Sequence, residues 1–259
     1  MRVLVRALSL LAVLGAGLAG CGEADTPRAR ATPPTAPSAA APSTPQAPPT
    51  PRETLIAGHY RPLWPFSGPG EVAAWQRAYQ ADGREAWHLD AARTAIAFTR
   101  DFLGFTEIDQ AVKTVRDGEH ARVHVGFRSE EGPRPLVAAV VHLMRYGSGR
   151  NAPWEVVGTD DTTLTLTKPG YGATVGSPLT VGGRITGVDE SIRIEVRHPG
   201  SATPVGERCC LGAGGENAAW SAKVSFTAEP GRTLTVVAST GGHVAAVERF
   251  AVTGVSLPS

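Results

Sequence analysis

The spacing of apolar residues changes along the chain, and each change marks a predicted structural zone. Residues 7–18 form an almost continuous apolar run, whereas residues 22–52 are rich in proline and alanine. Helical spacing dominates residues 71–103, and alternation dominates most of the chain after residue 104. Because helices repeat about every 3.6 residues and strands every two, the order predicts a leader, a linker, two helices and then strands.

Two segments have helical spacing together with suitable ends. The first predicted helix covers residues 71–80, and its apolar face is Val72, Trp75 and Tyr79. Asp90 is placed to cap a second helix over residues 91–103, which Gly104 ends. Its predicted apolar face is Ala92, Ala95, Ile96, Thr99, Phe102 and Leu103. A stripe of this kind favours packing against a sheet over cofactor binding.

The turn dipeptide Asp117-Gly118 separates two alternating segments, residues 111–116 and 121–128. This pattern predicts a β-hairpin. A capped helical turn over residues 106–115 is the alternative, since Ile108, Val112 and Val115 also have helical spacing. Further strands are predicted at residues 136–146 and 154–158, with a last short strand at Leu164 and Leu166. Residues 53–167 are therefore predicted to form an α+β domain with two helices on an antiparallel sheet.

Alternation becomes continuous after Lys168-Pro-Gly170. The apolar positions include Leu179, Val181, Ile185, Ile192, Ile194, Val196, Trp220, Val224, Leu234, Val236, Phe250 and Val252. Arg193, Glu195 and Arg197 alternate with them and are expected to point outward. Short strands with turns between them predict an all-β sandwich over residues 168–259.

Four segments of this region carry a family resemblance. They are Gly176-Ser-Pro-Leu-Thr-Val-Gly-Gly-Arg-Ile185, Ile192-Arg-Ile-Glu-Val196, Trp220 before a strand, and Leu234-Thr-Val-Val237. Together they resemble the immunoglobulin-like domain of bacterial spore-germination proteins, over about residues 168–255. The resemblance implies an immunoglobulin-like sandwich, an extracytoplasmic lipoprotein and no catalytic residues. Gly182-Gly183 would permit a bend or a close backbone approach.

The N-terminus has the features of a lipoprotein signal peptide. Arg2 and Arg6 precede the apolar run, which is shorter than the ~20 residues of a membrane span. Leu18-Ala19-Gly20-Cys21 resembles a lipobox, so residues 1–20 are predicted to be removed and Cys21 to carry acyl chains such as palmitate. An ordinary secretion signal with an incidental cysteine is the alternative. Lipidation would place the mature protein outside the cytoplasmic membrane.

A linker is predicted at residues 21–52, because nine of the 31 residues from Gly22 to Arg52 are proline and eight are alanine. Such a segment cannot bury enough apolar surface to offset its ordering entropy, so it is expected to be disordered. Fully extended, it would reach roughly 100 Å. It is either a spacer or a neutral tether.

Charge and motifs exclude several functional classes. Of 25 basic residues, Arg2 and Arg6 would leave with the signal peptide, so 23 basic residues face 24 acidic ones. This balance argues against nucleic acid as a partner. No zinc-type cysteine spacing occurs, and His120 and His124 would stand about 13 Å apart on one strand, so neither metal nor cofactor is predicted. No hydrolase or nucleotide-binding motif occurs, and no catalytic residue or enzymatic activity is predicted.

Cys209 and Cys210 are adjacent, so they cannot form the disulfide that links the two sheets of immunoglobulin domains. Their Cα atoms must lie about 3.8 Å apart, below the usual disulfide range. Either they form a vicinal disulfide, or one thiol points inward and the other outward.

The sequence therefore favours a membrane-anchored, extracytoplasmic binding lipoprotein of the cell envelope, with an envelope protein or a cell-wall component as its partner. Trp64, Trp87 and Trp154 form the candidate recognition surface in the first domain. The alternatives are a structural spacer and a cell-envelope hydrolase with a cleft in the α+β domain. The hydrolase would require a serine or carboxylate hydrogen-bonded to a histidine such as His88, His124 or His142.

The lipobox predicts that Cys21→Ala abolishes membrane attachment, because the acyl chains on Cys21 would be the anchor. Fractionation of cells, with intact mass of the membrane-extracted wild type, measures this. Equal membrane association of both forms would contradict lipidation.

Overall fold

Two antiparallel four-stranded sheets make up most of the fold, with few helices. The computed structural model describes residues 60–130, 132–201 and 203–258. The predicted signal peptide, Cys21 and linker lie outside the described residues. No helix among the described residues is long and apolar enough to cross a membrane.

Both predicted helices are present. Helix α1 spans Pro69–Asp82 and ends at Gly83, whose backbone has φ 73° and whose N–H donates to the carbonyl of Tyr79 at 2.8 Å. Helix α2 spans Ala91–Ala97 and begins at Asp90, whose carboxylate accepts two backbone N–H groups. These caps satisfy backbone groups that have no partner within the helix.

The predicted second helix is regular only as far as Ala97. The chain then widens into a π-helical turn over Phe98–Phe102, and the Thr99 hydroxyl donates to the carbonyl of Ala95 at 2.7 Å. The buried stripe is therefore shifted from the predicted one. Its members are Ala91, Thr94, Ala95, Phe98, Thr99, Phe102 and Leu103, whereas Ala92 and Ile96 are only partly buried.

The first sheet has the strand order β1-β2-β3-β4. Its strands are β1 (Gln110–Asp117), β2 (His120–Phe127), β3 (Leu136–Arg145) and β4 (Trp154–Asp160). The predicted hairpin is confirmed, because Asp117 pairs with His120 and Gly118 adopts a φ of 56°. The alternative helical turn over residues 106–115 is wrong, since β1 occupies six of those ten residues.

The second sheet has the order β6-β5-β7-β8, so β6 lies at its edge. Its strands are β5 (Leu179–Arg197), β6 (Gly206–Val224), β7 (Thr233–Thr240) and β8 (Arg249–Ser256). The separate strands predicted around Val181 and Ile194 are joined into β5. Val181, Ile185, Ile192 and Ile194 nevertheless belong to the same buried cluster. Both halves of β5 therefore contribute to one core.

The predicted short strand at Leu164 and Leu166 is not part of the first sheet. Leu164 forms an isolated bridge with Ile185 and is fully buried in the core of the second sheet. The chain can lie this close to β5 because of Gly183. A Cβ on that residue would stand 1.9 Å from the carbonyl oxygen of Thr165. The close backbone approach expected at Gly182-Gly183 is therefore present.

Residues on both sides of Lys168 share a core. Val237, Phe250 and Val252 of the second sheet lie in the cluster that contains α2 and the inner face of the first sheet. The backbone N–H of Val252 also donates to the Thr159 hydroxyl of β4 at 2.9 Å. Part of the apolar surface of the second sheet is therefore buried only against the first half of the chain.

A buried ion pair joins the second sheet to the end of the π-helical turn. The expectation that Glu195 and Arg197 point outward is wrong, since they are only 8% and 7% exposed. The Arg197 guanidinium donates to Glu195 at 2.7 Å and to the carbonyls of Phe102 and Leu103 at 2.7 and 3.2 Å. Those carbonyls end a helical segment, where a cation is favoured. The first half of the chain covers this face of β5, which strand periodicity does not reveal.

This pair predicts that Arg197→Met is strongly destabilising. It would leave the Glu195 carboxylate and two carbonyls buried without their partner, at a cost of about 3–5 kcal/mol. Adding Glu195→Gln should recover part of the loss, because the unpaired charge is removed. The control is Arg193→Met, whose half-exposed pair with Glu207 should contribute about 0–1 kcal/mol. Urea unfolding measures all of these variants, and equal effects at the two arginines would contradict the role of Arg197.

Candidate functional site

An open groove lies where the pairing of β5 and β6 is irregular. The two strands run side by side for most of their length, but their register shifts between Ile185 and Gly187 and again between Gly187 and Glu190. The space at this point, called the β5–β6 groove below, has a volume of about 1350 Å³. Its walls come from residues 186–191 of β5 and from residues 210–216 and 219–221 of β6.

Small side chains leave the groove open. One wall is the segment Gly212-Ala-Gly-Gly215, and a Cβ on Gly212 would meet no other heavy atom within 4 Å. Val188 stands on the opposite wall and is 77% exposed, the highest value among the large apolar side chains described. Trp220 contributes a largely buried ring. The surface is a mixture of backbone, small residues and isolated apolar groups.

Three carboxylates line the groove, but they are not equivalent. Glu190 is 3% exposed, forms an ion pair with Arg249 at 2.9 Å and accepts a hydrogen bond from the Thr240 hydroxyl. Asp189 and Glu216 are exposed and have no ion pair within the described residues. Glu190 therefore anchors the groove wall, and the other two are available to a ligand.

Cys209 and Cys210 lie at one end of the groove and are joined by a disulfide. They occupy a β-bulge, because Ile192 pairs with Leu211 and Ile194 with Arg208, so both cysteines face the single residue Arg193. Cys210 lines the groove and also a second space of about 430 Å³, which Cys209 shares. In a regular strand, neighbouring side chains would point to opposite faces. The bulge is what allows the two sulfur atoms to meet.

The three tryptophans predicted to form a recognition surface lie elsewhere, and they are not equally accessible. Trp154 is 2% exposed in the core, and the Arg145 guanidinium covers its ring at 4.6 Å. It is therefore removed from the predicted surface. Trp64 and Trp87 stack with ring centroids 5.6 Å apart and are partly buried. They form a small aromatic surface.

Two histidines meet on the face of the first sheet that α2 does not cover. His120 Nδ1 lies 3.1 Å from His142 Nε2, so one nitrogen donates and the other accepts. His124 lies further along β2, as its spacing predicted. Burial, with a smaller contribution from Arg122, lowers the pKa of His142 to about 4. No group of three or more potential ligands that could hold a metal ion occurs in the part of the chain that the structure describes.

Two tyrosines lie beside these histidines. The Tyr60 ring contacts His120 and His142 edge-on, at centroid distances of 5.7 and 5.1 Å. Tyr171 hydrogen-bonds both the N–H and the carbonyl of Arg61, at 2.8 and 3.0 Å. These contacts fix the chain where it enters the described region.

Asp160 also lies on this surface. It is the last residue of β4 and forms an ion pair with Arg122 at 2.6 Å. Both side chains remain more than one-third exposed. The pair is positioned to hold β2 and β4 across β3.

Glu155 is a buried carboxyl that the sequence analysis did not single out. It is fully buried on β4, and neither of its oxygens has a hydrogen-bond partner among the described residues. Burial raises the pKa of Glu155 well above its usual value, an effect that the backbone N–H of Phe66 opposes and the Glu71 carboxylate reinforces. Burial therefore favours the protonated form. Because Glu155 alternates with the apolar residues Trp154 and Val156, the sequence pattern did not indicate that it is buried.

The groove itself was also missed in the sequence. The sequence feature that could have indicated the groove is the concentration of glycine at positions 187, 212, 214 and 215, within segments that otherwise alternate as strands do. Glycine inside a strand marks a bulge or a site of close approach. The alternation in the flanking residues predicted regular strands, and register shifts do not appear in alternation.

Comparison with known proteins found no matching family model, no matching curated protein and no matching solved structure.

The raised pKa of Glu155 predicts that Glu155→Gln stabilises the protein as the pH rises. The stabilising effect of the raised pKa is present below the unfolded-state pKa and is lost as the pH rises through the folded-state pKa. The wild type should therefore lose stability relative to the glutamine variant by about 1.4 kcal/mol for each pKa unit. Urea unfolding between pH 4 and pH 8 measures the difference, with exposed Glu130→Gln as the control. A pH-independent difference would contradict a buried, protonated Glu155.

Proposed function

We propose that this protein is a membrane-anchored, extracytoplasmic binding lipoprotein of the cell envelope, and that the β5–β6 groove binds an extended segment of another envelope protein. The anchor is the predicted lipid on Cys21. The observation that carries the binding role is the open groove beside an edge strand. The pair Trp64 and Trp87 is a weaker candidate, because both rings are partly buried and stack on each other.

The size and shape of the groove favour an extended polymer. Pockets for small molecules usually have volumes of about 300–1,000 Å³ and enclose most of the ligand. The groove exceeds that range at about 1350 Å³ and is open along its length. A chain that lies along it would contact both walls without being enclosed.

The edge position of β6 supports a peptide as the bound polymer. Within the described residues, β6 pairs with β5 alone, so its outer backbone groups are not used by the sheet. An extended peptide can add to such an edge through main-chain hydrogen bonds. The absence of a side chain at Gly212, where a Cβ would meet nothing within 4 Å, leaves room for a second backbone. Asp189 and Glu216 then favour basic side chains on the bound segment.

The finer fold assignments remain part of this proposal. Residues 53–167 would form an α+β domain, and residues 168–259 an immunoglobulin-like sandwich of the kind resembled by spore-germination proteins. The bent strands β5 and β6, which contribute both halves to one core, support a sandwich. A spore-related role is the narrower form of the proposal and rests on that resemblance alone.

The hydrolase and spacer alternatives are kept as secondary hypotheses. Within the described chain, the only carboxylate within ion-pair distance of a histidine ring is that of Glu85, 3.7 Å from His88 Nε2. Glu85 is exposed and His88 is buried in an aromatic cluster. Nothing in this arrangement positions a nucleophile, so binding is the function that we propose.

The groove predicts that a photocrosslinking side chain at Val188 captures an envelope protein in intact cells, whereas the same group at exposed Val115 on β1 does not. Gly212→Trp should abolish the Val188 adduct, because the indole would fill the groove. Gly176→Trp is the matched control, since a Cβ there also meets nothing within 4 Å and Gly176 lies outside the groove. Peptide mapping of the adduct identifies the captured segment. Equal adducts at Val115, or an adduct that survives Gly212→Trp, would contradict the site.

A further inference from the structure

The disulfide between Cys209 and Cys210 does not cross-link distant parts of the chain. A disulfide stabilises a fold chiefly by closing a loop in the unfolded chain, and the effect falls as the loop becomes shorter. These cysteines are adjacent, so the loop contains no intervening residue. The β5–β6 ladder continues on both sides of the bulge without help from the bond. The bond therefore has little to contribute to stability.

The backbone at Cys210 adds a second observation. Cys210 has a φ of 65°, in the left-handed region that residues with a Cβ disfavour. Glycine would fit this position without that penalty. An unfavourable backbone conformation next to a bond with little structural effect is a combination expected at functional sites.

The disulfide lies at an accessible place on the chain. Cys210 is exposed and Cys209 is partly buried, and β6 has no strand on its outer side among the described residues. Cys210 lines both the β5–β6 groove and the smaller neighbouring space, whereas Cys209 lines only the smaller one. A nucleophile in the β5–β6 groove therefore meets Cys210 before Cys209.

We propose that Cys209–Cys210 is a redox-active disulfide that accepts two electrons from a dithiol, with Cys210 Sγ as the atom attacked. A thiolate of the dithiol bonds to Cys210 Sγ, the Cys209–Cys210 bond breaks, and Cys209 leaves as a thiolate that takes a proton from water. The second thiolate of the dithiol then attacks the first sulfur of the same dithiol, which is bonded to Cys210 in the mixed disulfide. Cys210 leaves as a thiolate and takes a proton from water. The dithiol is oxidised to a disulfide, and the cysteine pair is reduced to two thiols.

Adjacency of the two cysteines also determines how a monothiol behaves. After a monothiol attacks Cys210, the freed Cys209 thiolate stays within bonding distance and closes the ring again. A monothiol should therefore give a small amount of mixed disulfide at Cys210, while a dithiol drives the reduction to completion. This difference follows from the adjacency of the two cysteines, and it does not depend on a ligand in the groove.

The experiment treats the full-length protein in detergent with dithiothreitol or glutathione, under native conditions and in urea. Acid quenching and alkylation follow, and tryptic mapping reads the peptide from Cys209 to Lys223, which trypsin releases by cleaving after Arg208 and Lys223. Because this peptide lacks Cys21, the state of the lipidated residue does not affect it.

The untreated protein should give the peptide with no alkylated cysteine. Dithiothreitol should give two alkylated cysteines, at a native rate within about tenfold of the rate in urea, because no unfolding is needed for access. Glutathione should appear on Cys210. Two free thiols before treatment, glutathione on Cys209, or native reduction about a hundredfold slower than in urea would each overturn the proposal.

A double variant separates the redox role from a structural one. Cys209→Ala with Cys210→Gly removes the disulfide and supplies the residue that suits the backbone at position 210. Its urea midpoint should match that of the oxidised wild type. A large fall in the midpoint would show that the bond holds the fold together, and would overturn the proposal.

Discussion

The buried guanidinium of Arg197 is the contact on which the arrangement of the two sheets depends. It is paired with Glu195 on the same strand and with the carbonyls that end the π-helical turn. A buried charge is tolerated only when it is paired and hydrogen-bonded. The end of the π-helical turn and β5 must therefore assemble together. Arg197 is the last residue of β5, and the groove wall at residues 186–191 belongs to the same strand. The contact therefore anchors the strand that carries this wall.

Local signals in the sequence predicted the local parts of the fold. Asp90 caps the helix that begins at the next residue, and Asp117-Gly118 forms the turn between two neighbouring strands. Both interactions are local in sequence, so the helix start and the hairpin were predicted correctly. Arg197 was placed outward because alternation shows which residues share a face, and not what covers that face. Leu164 was assigned to the wrong sheet for the same reason. Its apolar character was clear, but its partner Ile185 is distant in sequence.

The candidate site could be predicted only in part. The adjacency of Cys209 and Cys210 made a vicinal disulfide one of two alternatives. The structure shows that a β-bulge accommodates it. A one-residue shift in register places both cysteines opposite Arg193. The groove depends on two further shifts near Gly187. Such shifts are set by the fit of both strands to a common core, so no short segment of either strand determines them.

The irregularities of β6 explain how a long edge strand can remain exposed. A flat, regular edge invites pairing with any other strand, and proteins limit this with bulges and charged side chains. On β6 the bulge at Cys209–Cys210 interrupts one end, and Gly215 and Asn217 break the extended backbone with φ values of 119° and 52°. Glu216 adds a charge between them. In the proposed binding role, a partner segment would have to match a short stretch around Gly212, next to the disulfide. The features that protect the edge would then also make it selective, and the exposed Cys210 would lie where the bound segment begins.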